Sequence, residues 1–164
     1  MNTKLKMKIY CLLILITNWA HAQLHHHGSS NRAPDLRKPL PLLEFMAEHQ
    51  KQNMREHLEA IRDLVGGFAK NDFKIIHKAS LRLGSSPQMS MMCNHMGQGA
   101  PGFTPLALKM HAEADKITLA AEKKDLTGAI AATERTLQSC TNCHSAFKQQ
   151  IVSEQEWNKL IKKK

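Results

Sequence analysis

The chain has little of what many binding and catalytic classes need. Aromatic residues make up 5 % of its 164 positions and include a single tyrosine. The interleaved rings on which single-stranded nucleic acid stacks are therefore missing, and nucleic acid is not an expected partner. The apolar run Ile9–Ile16 is too short to cross a bilayer, which takes about 20 residues. No segment sustains a period-2 alternation, and β-branched residues are sparse beyond the first residues, which argues against a sheet fold. There is no second Cys-x-x-Cys to complete a four-ligand zinc site. No pair of carboxylates and no nucleophile beside a base stands out on the helical surfaces, so an enzyme is not expected.

What is present begins at the N-terminus. Lys4, Lys6 and Lys8 precede the apolar run, and Ala20-His21-Ala22 follows it. That order has the form of a signal peptide over residues 1–22 with a small-x-small cleavage site, and it implies an exported, periplasmic protein. Cleavage after Ala22 leaves 142 residues, enough for one domain with one core. Removing the three signal lysines from the net +9 leaves +6, a surplus that steers the protein toward acidic partners. Three of the four cysteines remain, Cys93, Cys140 and Cys143, and an odd count argues against a disulfide framework.

Residues 23–41 hold His25-His26-His27, Gly28-Ser29-Ser30 and three prolines, a composition expected of a flexible leader. A helical domain is expected over 42–155, followed by a basic tail over 156–164. In the first helix Leu43, Met46, Ala47, Gln50, Met54, Leu58, Ile61, Val65 and Phe68 recur every three or four residues as one inward stripe. Asn71-Asp72 opens a shorter helix with Phe73, Ile76, Ala79 and Leu83 inward, and Gly84-Ser85-Ser86-Pro87 stops it. A loop of about twenty residues is expected next, long enough to be functional or to cover something. A third helix starts near Thr104-Pro105 with Leu106, Met110, Ala114, Ile117 and Ala121 inward. Asp125 caps a fourth, whose stripe runs through Leu126, Ile130, Thr133, Leu137, Cys140, His144, Phe147 and Ile151. The expected fold is all-α, an antiparallel four-helix bundle with a long loop between the second and third helices.

The chemistry is carried by Cys140-Thr141-Asn142-Cys143-His144. At helical spacing Cys140, Cys143 and His144 project toward one region. A thioredoxin-like pair needs its Cys-x-x-Cys after a strand at a helix start, and a disulfide between i and i+3 of a helix is strained. Cys-x-x-Cys-His is instead the attachment sequence of c-type haem, with both thiols bonded to the porphyrin and the histidine on the iron. One covalent haem c is expected. A helical bundle with this motif near the end of its last helix resembles cytochrome c′ and its six-coordinate, low-spin relatives. The resemblance covers residues 43–152 and extends through Cys-x-x-Cys-His-x-x-Phe-Lys over 140–148. Lys148 stands where many members have arginine beside the haem, and a point charge replaces a planar fork of donors.

The resemblance implies that the first helix covers the other face of the iron, with methionine in the low-spin members. Met54 occupies the matching region of Asn53-Met54-Arg55-Glu56-His57-Leu58. Methionine opposite histidine is an electron-transfer ligand set, whereas a methionine on an apolar stripe is otherwise core filler. His57 lies off the middle of the stripe, and His77 and His111 fall at the edges of theirs. The run Met89-Ser90-Met91-Met92-Cys93-Asn94-His95-Met96 suits either a pliable flap over the haem or a Cu(I) site. Cys93 is left as a buried thiol or a link between chains. The expectation is a single-electron carrier serving acidic redox proteins. A five-coordinate binder of NO or CO and a copper-handling protein are the alternatives, and a homodimer is left open because relatives pair through their first two helices.

Overall fold

A computed structural model describes residues 33–162. The expected signal peptide, the His25–His27 triplet and the last two lysines lie outside the described residues. Residues from Leu36 onward cluster as one compact unit. Among the described residues the chain is mostly helical, with six α-helices and one two-stranded parallel sheet. None of these helices is long and apolar enough to cross a membrane.

Strand β1, Lys38–Leu42, leads into helix α1, Glu44–Lys70. At 27 residues α1 is about 40 Å long. It ends at Asn71, which adopts a left-handed conformation with φ 51°. The amides of Asn71 and Asp72 return to the carbonyls of Phe68 and Gly67, closing the last turn. Asp72 then caps helix α2, Phe73–Leu81, its carboxylate accepting from the amides of Lys74 and Ile75 at 3.0 and 3.1 Å. Helix α4, Phe103–Glu122, and helix α5, Leu126–Ala146, are joined by a turn in which Asp125 accepts from the amide of Gly128.

Alanine and glycine let these helices approach closely. Ala60 and Leu64 of α1, Ile76 and Ala79 of α2, Ala114 and Ile117 of α4, and Ala129 and Ala132 of α5 form one core. Polar contacts fix the neighbours. Arg82, just after α2, reaches Glu56, Glu59 and Asp63 of α1. Ser80 bonds Thr118 at 2.8 Å and the Leu83 carbonyl meets His111, which sets α2 against α4.

Three sequence expectations change. The inward stripe of α1 holds at Met46, Ala47 and Gln50, and Ile61 and Phe68 still pack on the core, but from His57 onward the fully buried positions are shifted by one residue. Leu58 and Val65 are 70 % and 58 % exposed, while His57, Ala60, Leu64 and Gly67 are buried. Ala60 and Gly67 let α1 come close to α2: a Cβ on Gly67 would stand 2.8 Å from Ile76 Cγ1. In α5 Ile130 and Leu137 are likewise outward, and Ala129, Ala132, Thr136 and Ser139 replace them.

Second, the twenty-residue loop is not a loop. Helix α3 spans Pro87–Met96 and a 3-10 turn follows at Gly97–Gly99. The Ser86 hydroxyl accepts from the Met89 amide and Pro87 occupies the first turn, so the serine and proline read as a stop for α2 are the start of α3. Third, α5 stops at Ala146. Residues Phe147–Ile151 form strand β2, paired in parallel with β1 from Lys38↔Phe147 to Leu42↔Ile151. Lys38, Pro39, Leu40 and Pro41, expected in the leader, thus belong to β1. Helix α6, Glu154–Ile161, occupies most of the expected tail and buries Trp157. Leu40, Leu42, Met46, Phe103, Phe147 and Trp157 make a second core around the sheet.

Candidate functional site

The last two turns of α5 present Cys140, Cys143 and His144 to a cavity of about 590 Å³. Both cysteines are free thiols, half-buried, and burial pushes each above its usual range. Their nearness to one another raises Cys143 further. The walls are apolar where the sheet core reaches them, through Leu40, Met96, Phe103 and Phe147. Leu106 and Met110 of α4 continue that surface. Basic side chains also line it: Arg37 and Lys148 from the sheet end, Lys51 and Arg55 from α1. Lys51 pairs with Glu48 one turn back.

The residues singled out in the sequence, Cys140, Cys143, His144, Lys148 and Met54, all line this one cavity. Met54 is 38 % exposed. Helix α3 supplies Met89, Cys93 and Met96 to the wall, and burial, followed by the neighbouring Cys143, pushes the Cys93 thiol up. The other soft donors of that segment are dispersed. Met91 is exposed, Met92 packs on the sheet core, and His95 lies edge-on to Trp157 at 5.9 Å. Among the described residues no three His, Cys, Asp or Glu side chains gather as a metal site.

Two histidines expected at edges prove central. His57 and His111 are 8 % and 3 % exposed, both line the cavity, and their rings meet edge to face with centroids 5.6 Å apart. His111 Nδ1 lies 2.7 Å from the Leu83 carbonyl. A carbonyl only accepts, so that nitrogen carries the proton. Burial, followed by the neighbouring His111, lowers the pKa of His57 to about 4, so it is neutral at physiological pH. By contrast, His77 is half-exposed beside Glu122 and away from the cavity. The signal that would have found His57 is the row Ala60, Leu64 and Gly67, with two small residues flanking a leucine, which shares its face of α1.

The cavity fits a haem c in the chemistry of its donors. Its volume lies in the range of sites that bury a whole cofactor. Two thiols one helical turn apart share a wall with an adjacent imidazole, the remainder is largely apolar, and basic groups are at hand for two propionates. Comparison of the chain with family models, with curated proteins and with solved structures found no match.

Proposed function

We propose that the protein is an exported c-type cytochrome that carries single electrons, built as an antiparallel four-helix bundle of the cytochrome c′ type. One observation carries the reading: Cys140, Cys143 and His144 stand together on the wall of an apolar cavity large enough for the cofactor. The bundle reading is supported by the order of contacts. Asp63 meets Arg82 while Gly67 meets Ile76, and Ser80 meets Thr118 while Leu83 meets His111, so numbering rises on one helix as it falls on the next.

In this reading Cys140 and Cys143 are the attachment points and His144 is the first iron ligand. When bound, the haem supplies reversible one-electron chemistry. The chain's own residues do the rest. Phe103, Leu106, Met110 and Phe147 exclude water and lower the local dielectric, which strengthens every electrostatic interaction in the site. Lys148 and Arg55 offer positive charge to the propionates. Helix α1 provides the second ligand from a wall that holds Met54 and His57. The basic surplus of the chain favours acidic redox partners. The placement of Met89, Cys93 and Met96 against the cavity supports a covering role for α3 over a copper site.

The test is expression of the full chain in a host that matures c-type cytochromes. After denaturation and solvent extraction the purified protein should retain one haem by mass and by absorption. Cys140→Ser with Cys143→Ser should remove it. A chain that folds and never retains haem refutes the reading. Ready CO binding to the ferrous form without loss of a ligand band moves it to the gas-binding class.

A further inference from the structure

We infer that His57, on α1, is the second ligand to the haem iron, giving a bis-imidazole centre with His144 in place of the histidine–methionine pair. The inference rests on the c-type reading above and sharpens one part of it. Its starting point is an accounting of polar groups. Among the described residues no fully buried side-chain nitrogen or oxygen lacks a partner. His57 is 8 % exposed, and its one contact of note is the ring of His111. No hydrogen bond engages either of its nitrogens among the described residues. Those nitrogens therefore keep accessible area, and the surface that His57 borders is the cavity holding Cys140, Cys143 and His144.

An imidazole on the cavity wall whose nitrogens keep accessible area and bond no protein group is open to a ligand held in that cavity. The thioether of Met54 is satisfied by apolar contact, and its place on the wall needs no ligand to explain it. The register of α1 adds a second argument. The helix spends its buried face on Ala60, Leu64 and Gly67 to come close to α2, and this same rotation carries His57 inward and Leu58 outward.

His111 has a supporting part. Its Nδ1 proton is committed to the Leu83 carbonyl, which fixes its ring, and that ring meets His57 edge to face at an interplanar angle of 77°. A fixed neighbouring ring limits the rotamers open to His57 and keeps its ring against the cavity. Imidazole is a common haem ligand, and replacing thioether by imidazole lowers the reduction potential relative to a methionine-ligated centre.

The experiment uses the haem-loaded full chain and reads optical and paramagnetic resonance spectra in both oxidation states. The ferric wild type should be low-spin and lack the weak far-red band of methionine-ligated iron. Met54→Leu should leave those spectra unchanged. His57→Ala should become high-spin, bind CO readily when reduced, and return to low-spin on adding free imidazole. A far-red band abolished by Met54→Leu overturns the inference in favour of methionine. A high-spin ferric wild type overturns it in favour of an open face. A His57→Ala protein that stays low-spin overturns it too, with His111→Ala turning high-spin naming the other histidine. Failure to retain haem at all is a different result, since it removes the c-type reading itself.

Discussion

Gly66 and Gly67 are neighbours in α1, and the structure predicts opposite outcomes for changing each to alanine. Alanine is favoured over glycine inside a helix by about 1 kcal/mol. At Gly66 nothing stands within 4 Å of the added Cβ, so most of that gain is realised. At Gly67 the Cβ would lie 2.8 Å from Ile76 Cγ1 and 3.2 Å from the Ile76 backbone nitrogen. Ile76 is fully buried and its backbone is held in α2, so the helices must separate. Overpacking of this kind costs about 1–3 kcal/mol. Gly66→Ala should therefore raise the unfolding midpoint by about 2–4 °C, and Gly67→Ala should leave it unchanged or lower it by a similar amount. Thermal and urea unfolding followed by far-ultraviolet circular dichroism gives both values. Equal stabilisation by the two variants would refute the close approach of α1 to α2, and with it the rotation that brings His57 to the cavity.

The register of α1 has a second check: Leu64→Ala should cost about 2–5 kcal/mol in urea unfolding, whereas Leu58→Ala, at a position 70 % exposed, should change little. In the cofactor-free Cys140→Ser, Cys143→Ser chain, His57 should make stability depend on pH. Below 6.5 the unfolded chain takes up a proton that the fold refuses until about pH 4. Stability present above pH 6.5 should thus fall by about 3 kcal/mol across that window; His57→Asn should flatten the slope, and an unaltered slope rules the assignment out. Arg82→Ala should lower the urea midpoint by releasing Glu56, Glu59 and Asp63, and the difference should shrink in high salt.

The cluster of Cys140, Cys143 and His144 was legible because it is local. Five consecutive residues specify its chemistry, and their helical setting needed only the periodicity around them. Met54 and Lys148 line the same cavity. The caps at Asp72 and Asp125 were readable for the same reason, since each acts on an amide two or three residues ahead. What escaped depends on partners far along the chain. Whether Phe147–Ile151 continues a helix or pairs as a strand is decided by Lys38–Leu42, more than a hundred residues earlier. The spacing of Phe147 and Ile151 suits a helix, and only the sheet partner overrides it.

The misreading of α1 follows from how helices pack. Sequence periodicity weights large apolar residues, and on that weighting Leu58 and Val65 define the inward face. Close packing weights the opposite property. Where α1 meets α2, Ala60 and Gly67 on either side of Leu64 let the backbones approach, and Leu58 and Val65 are turned to the outside. The small difference of one position has a chemical consequence. With Leu58 inward, His57 would stand at the edge of its helix face, away from the cavity. With Ala60 and Leu64 inward, an imidazole without a hydrogen bond lies on the wall of the cavity that holds Cys140, Cys143 and His144. The packing of alanine and glycine on one helix pair thus decides which side chain α1 offers to the cavity.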